Sequence, residues 1–271
     1  MCDMCVMNSV KDRMLSRRGL FKGAAMAGTA AALGSVAAAP AALAQGHDAV
    51  EDLTHTLTPE FPTFSGEQQF FMEQKFNYAE HFYNLFDLRV DEHTGTHIDA
   101  PLHFSEDGAS VDEIPVSNLV APLCVIDIAV RAAENPDAQV TPDDISAWIA
   151  ANGEIPANAC VAMHSGWSSK ANSDTFRGFD GEAMHFPGFH VECAEMLANA
   201  GAASVAVDTL SLDHGPSADF AFHYAWLPSG RFGVECVANL DRLPATGATL
   251  IVGAPKHQGG TGGPARILAL V

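Results

Sequence analysis

Between His93 and Phe104 the chain reads HTGTHIDAPLHF, with three histidines and an aspartate at positions 93, 97, 99 and 103. Every one of those positions is odd. In extended backbone successive side chains alternate faces, so His93, His97, Asp99 and His103 would all point to one side. Imidazole and carboxylate are the groups that bind divalent metal ions and move protons near neutral pH. A single buried histidine is ordinarily a hydrogen-bonded core residue with no part in chemistry, and any one of these alone would be read that way. Four such groups within eleven residues are different. Burying them apart from an ion would leave several polar atoms seeking partners in a small volume.

The backbone that must position them is strand running into loop. His93 and His97 are spaced as on a helix, but Gly95, the β-branched Thr94, Thr96 and Ile98, and Pro101 argue against one. In a straight strand the Cα atoms of His93 and His97 would lie roughly 13 Å apart, at about 3.3 Å per residue. A zinc–nitrogen bond is only about 2.0–2.1 Å long, so one ion would demand a bend between them. Gly95 is where a bend or bulge is cheapest. Pro101 then ends ladder pairing and turns His103 toward the same centre.

Around this stretch the pattern alternates strand and helix, which predicts an α/β architecture with a mixed sheet. Strands are expected at 52–57, 86–90, 124–130, 159–163, 204–207 and 249–252. Thr141-Pro142-Asp143-Asp144 is a helix start, with Thr at the cap and acids in the first turn, and Gly153 is its stop. A second helix is expected over 190–200. The aromatic-rich segment 61–86 reads equally as core or as the wall of an apolar, planar substrate site. His164-Ser165-Gly166-Trp167 is a turn that could project His164 or Trp167 into a site, and 168–188 reads as a long loop. Asp208 and Asp213 follow a strand end, where an acid serves chemistry or caps a turn. GGTGGP, residues 259–264, is glycine-rich but lacks the Gly-Lys-Ser/Thr ending of a phosphate-binding loop, which argues against nucleotide binding.

Residues 1–44 stand outside that pattern. Ser16-Arg17-Arg18-Gly19-Leu20-Phe21-Lys22 is a twin-arginine run, followed by an uncharged Ala-rich segment ending in Ala42-Leu43-Ala44. This predicts a Tat export signal over 1–44, the Tat machinery as partner, a periplasmic or secreted location, and one domain over 45–271. Ala and Gly dominate where a membrane span would carry Leu and Ile. The segment holds five basic and two acidic side chains, so without it the net charge of −19 becomes about −22. Such a surface repels nucleic acid and anionic membrane. Of six cysteines, Cys124, Cys160, Cys193 and Cys236 remain after 45, with no C-x-x-C spacing. Three of them sit in apolar or periodic segments and read as small buried hydrophobes, and no disulfide is required.

His93-x-Gly95-Thr96-His97-x-Asp99-x-Pro101-x-His103 resembles the signature of the cyclase family, which includes bacterial kynurenine formamidases and isatin hydrolases. Asp52-Leu53-Thr54-His55, Ser165-Gly166-Trp167, Phe186-Pro187-Gly188, Asp208-Thr209 and the closing 259–266 agree with it, so the resemblance covers most of 50–271. It implies a swivelling β/β/α-type fold, a homodimer or higher oligomer, and a divalent zinc or manganese site, of one or two ions, that hydrolyses an aryl amide C–N bond. It implies His93, His97 and Asp99 as metal ligands and His103 as general acid/base. His223, with Glu235 twelve residues on, matches the spacing of a second metal position in the formamidases. In the isatin-hydrolase branch that acid can be an amide residue, so Glu235 leans toward the formamidase type. No residue is singled out for substrate binding.

Hydrolysis also follows from the residues. A divalent ion held by neutral imidazoles and carboxylates lowers the pKa of a water and polarises a carbonyl, and His103 could carry the proton to the leaving nitrogen. The alternatives are isatin-type opening of a cyclic amide and an exported metal- or ligand-binding protein without turnover. A serine hydrolase lacks its G-x-S-x-G elbow here, and the H-E-x-x-H of a metalloprotease helix is also missing.

Overall fold

The apolar runs of this chain form strands because their side chains alternate between two separate cores. In a computed structural model that describes residues 49–271, the strands in chain order are β1 (Val50–Asp52), β2 (Phe70–Phe76), β3 (Leu85–Val90), β4 (His97–Asp99) and β5 (Val120–Asp127). They continue as β6 (Gln139–Val140), β7 (Cys160–His164), β8 (Gly188–Phe189) and β9 (Ser204–Val207). The last four are β10 (Phe232–Glu235), β11 (Ala248–Gly253), β12 (Gly262–Pro264) and β13 (Arg266–Leu270). The expected export signal lies outside the described residues.

Nine strands make one mixed sheet in the order β1-β13-β11-β5-β7-β9-β10-β4-β12. The centre, β5-β7-β9-β10, is parallel, and antiparallel strands flank it on both sides. Cys124 and Ile126 of β5 join one core with Val161, Met163, Val205 and Val207, beneath the helices that carry Trp148, Leu197 and Trp226. Leu123 and Val125 join the opposite core with Cys160, Ala162, Phe232 and Val234. A parallel strand buried on both faces reads as a continuous apolar run, which is why 124–127, the second half of β5, was expected as strand. The α/β fold with a mixed sheet is the expected one.

The helix at Pro142–Asn152 starts as its sequence dictates, with Thr141 Oγ1 and Asp144 capping each other's backbone N–H groups and Gly153 closing it at φ 93°. Other boundaries moved. The strand expected to reach 130 stops at Asp127, and Val130, 79% exposed, lies in the helix Ala129–Glu134. The first strand is Val50–Asp52 and not 52–57; Thr54 makes only an isolated bridge to Val237.

Residues Met72–Leu88 form a compact unit of their own. They contain most of β2 and β3, joined through a single helical turn, Tyr78–His81, whose Asn77 Oδ1 accepts from the Glu80 N–H. Tyr78, Phe82, Leu85, Phe86 and Leu88 are exposed there. The second unit, which among the described residues runs over 49–71 and Arg89–Val271, carries the nine-stranded sheet.

Candidate active site

The 93–103 stretch is not one extended face. Only His97–Asp99 is strand; Gly95 turns the chain at φ +66°, and His103 sits in a short 3-10 helix, Pro101–Phe104, with Pro101 at its start. The bend expected at Gly95 brings His93 beside Asp99, with Nδ1 2.7 Å from Oδ1. His103 stacks on His93 with ring centroids 3.7 Å apart.

Strand pairing supplies the distant members. β10 runs antiparallel to β4 with Glu235 opposite His97, and Thr96 Oγ1 donates to Cys236 O at 2.6 Å to lock that register. Glu235 Oε2 lies 3.4 Å from His97 Nε2, and its Oε1 lies 3.2 Å from His223 Nε2 and accepts from the Leu212 N–H at 2.8 Å. His223 arrives on the helix Ala221–Trp226. All six residues singled out in the sequence therefore meet in one place.

The hydrogen bonds on the outer sides of the rings decide what the inner sides can do. His97 Nδ1–H donates to Gly95 O at 2.8 Å, so a neutral His97 carries its lone pair on Nε2. That lone pair faces Asp99 Oδ1 at 3.2 Å, yet His97 Nε2 and Asp99 Oδ2 have no hydrogen-bond partner although both are buried. His223 is built likewise: Nδ1 donates to Asp213 Oδ2 at 2.6 Å, and Nε2 points at Glu235 and at Asp99 Oδ2, 3.7 Å away. Lone pairs directed at carboxylates repel unless a cation lies among them. The donor atoms of His97, Asp99 and Glu235 fall within 4.8 Å of one another, and so do those of His93, Asp99 and His103. Asp99 belongs to both groups. This donor set, nitrogen and carboxylate oxygen with orphaned buried atoms, fits a divalent ion.

The field of the site has the same sign. Burial works against charge on His97, but Asp99 beside it, with Glu235, holds the imidazole well above its usual range. Burial likewise opposes charge on His223, and Asp213, Asp99 and Glu235 overcome it. Burial would raise Asp99, but His97, His223 and His93 hold it well below the carboxylate range. Glu235 is raised, by burial and then by the Asp99 charge. His103 differs from the other rings: burial pushes it down to about 4, so it is neutral at pH 7.

These groups open onto a cavity of about 270 Å³ whose apolar wall includes Phe64, Phe104, Leu210 and Phe220. The aromatic segment thus divides: Phe64 lines the cavity and Phe61 is core. Trp167 is also buried in core, and His164 lines a different cavity, so the turn 164–167 projects neither into this site. Asp208 caps that turn by accepting from Ser165 Oγ at 2.5 Å and from the Ser165 and Trp167 N–H groups. Asp213, by contrast, orients His223. The sequence placed both acids at a strand end but gave no means of telling them apart, since the distinction depends on where the 165–167 turn and His223 come to rest.

The sequence profile of the Cyclase family matches residues 51–214. An isatin hydrolase of Roseibium aggregatum is 36% identical over 192 residues, 67% of this chain and 73% of that protein. A kynurenine formamidase of Salinibacter ruber is 28% identical over 223 residues, 80% of this chain and 95% of that one. Among solved structures, isatin hydrolase A from Labrenzia aggregata bound to benzyl benzoate is similar with a TM-score of 0.78 at 37% identity, over 82% of this chain and 93% of that one. With the signature histidines gathered on the mixed sheet and these matches spanning most of the described chain, the protein belongs to the Cyclase family.

Proposed function

We propose that this chain is a metal-dependent hydrolase of aryl amides, cleaving the C–N bond of a formylated aryl amine. The observation that carries the reading is the arrangement of His97 and His223, each tied by Nδ1 and each turning Nε2 onto the shared carboxylates Asp99 and Glu235. His93, His97, Asp99, His223 and Glu235 would hold zinc or manganese, as one ion or two, and His103, although its donor atom lies within 4.8 Å of those of His93 and Asp99, is kept for proton transfer. Such an ion supplies Lewis acidity to an amide carbonyl and acidifies water. The chain's own residues do the rest. His103, neutral and facing the cavity, takes a proton from water at a ring nitrogen and returns it to the departing aryl nitrogen. Phe64, Phe104 and Phe220 form the apolar surface against which a flat aryl ring is held.

The likeness to isatin hydrolase favours a second reading, opening of a cyclic aryl amide, in which the same residues act on a ring nitrogen. Absorbance assays on N-formylkynurenine and isatin separate the two. His103→Ala is expected to keep its bound metal and lose at least ~100-fold in kcat, the usual scale of a general acid/base. Wild-type turnover in that variant overturns the assignment of His103. A purified protein with no divalent ion overturns the metal reading.

The twin-arginine run supports export of the folded chain, to be checked by fractionating cells, and the family resemblance supports a homo-oligomer, to be checked by light scattering.

A further inference from the structure

The run GGTGGP is not a phosphate loop, yet its glycines are required, and what they make room for lies on the outer side of His93. Nε2 of that ring, opposite the nitrogen that faces Asp99, lies 2.9 Å from Thr261 Oγ1. The Thr261 hydroxyl has a single proton, and 2.5 Å away is Glu92 Oε2. The Glu92 carboxylate is ringed by donors: the Thr261 N–H lies 3.2 Å from both its oxygens, and His257 Nε2 lies 2.6 Å from Oε1. A carboxylate only accepts, so the hydroxyl must donate to Glu92 and is left with lone pairs for His93. The bonds therefore run one way, from His93 Nε2–H to Thr261 to Glu92. In the neutral ring this leaves no proton on Nδ1, the nitrogen that lies 2.7 Å from Asp99 Oδ1.

The flanking glycines let the loop lie close enough for this. A Cβ on Gly262 would fall 2.7 Å from His93 Cε1 and 2.3 Å from Ile98 O. One on Gly260 would fall 2.6 Å from Glu92 Oε1 and 2.1 Å from His257 Nε2. A side chain at Gly262 would meet the Ile98 backbone and the His93 ring, and one at Gly260 would displace the ends of His257 and Glu92.

We propose that Thr261 and Glu92 are positioning residues that fix the Nε2-protonated tautomer of His93 and so present its Nδ1 lone pair to the divalent ion. The inference rests on the reading of His93 as a ligand. An imidazole held by an outer acceptor keeps its orientation and gains basicity, and loss of such a partner typically weakens metal binding about 10–100-fold.

The test is Zn²⁺ affinity of the whole protein by chelator competition, together with long-range ¹H–¹⁵N correlation of the histidine rings in the zinc-loaded state. Thr261→Val, which keeps the shape and removes the hydroxyl, should lose about 10–100-fold in affinity, while Thr261→Ser stays within about threefold of wild type. Glu92→Met should lose affinity in the same direction. In the wild type, His93 should carry its proton on Nε2. Unchanged affinity in Thr261→Val or Glu92→Met, or a proton on Nδ1 of His93, overturns the proposal. The wild-type tautomer decides the matter even where a variant fails to fold. If the wild type binds zinc and Thr261→Val binds it equally, only this inference falls; if the wild type binds none, the metal reading falls with it.

Discussion

His97 and His223 are built to one plan, an anchored Nδ1–H and Nε2 turned inward, and the inner halves of that plan were legible in the sequence while the outer halves were not. Histidine and aspartate in one short motif announce themselves by type and spacing. Gly95 O and Asp213, which orient the rings, do not, because a backbone carbonyl carries no sequence signal and an aspartate in a loop is commonest as a turn cap. Three of the four cysteines after residue 45 were legible for the opposite reason, since they sit inside apolar or periodic segments. All four are free and buried, and burial pushes Cys160 and Cys193 up to about 12 and Cys124 and Cys236 up to about 11. At pH 8 almost none of any of them is the reactive thiolate. Iodoacetamide on the native protein, followed peptide by peptide in a mass spectrometer, should leave these four unmodified until denaturant is added. Prompt labelling of Cys236, which borders the cavity, would contradict the closed packing described for it.

Strands with both faces buried were found within a few residues, because continuous apolar runs have a single reading. β4 was the harder element. Three residues long, it owes its place to pairing on both sides, with β10 and β12, and not to any local preference. The sequence placed a bend at Gly95 but drew a longer strand around it, since period-two spacing of four polar groups mimics an extended face even where the chain turns. Gly95 also carries a second load, through the carbonyl that accepts from His97. A Cβ there would meet φ +66° and Leu57 Cδ1 at 2.9 Å. Gly95→Ala is therefore expected to cost about 1–2 kcal/mol, from the left-handed backbone, the crowding being at the movable end of a side chain. For a chain of this size that lowers Tm by about 2–8 °C, measurable by calorimetry, and an unchanged Tm would show the bend to be unstrained.

At the scale of the whole molecule the acidic balance was plain from composition, but its concentration at one point was not: Asp99, Asp213 and Glu235 are all buried beside three imidazoles. Only the β9-β10-β4 part of the sheet order explains how a motif near residue 100 finds partners beyond residue 210, and sheet order is not written in periodicity. A cation that binds the folded chain alone should stabilise it by about 2.7 kcal/mol at a free concentration of 100 times Kd. Calorimetry with added zinc or manganese should then show Tm about 5–10 °C above that in excess chelator, and coincident transitions would exclude a folded-state site. The span of the bonds around β4 says where that stabilisation enters in time. Thr96 reaches 140 residues to Cys236, and His93 reaches 168 to Thr261. Such loops must close before the donors can face one another, so the assembled site belongs to the far side of the folding barrier. In kinetic terms the ion is expected to slow unfolding and leave the rate of refolding unchanged, which stopped-flow with and without zinc checks.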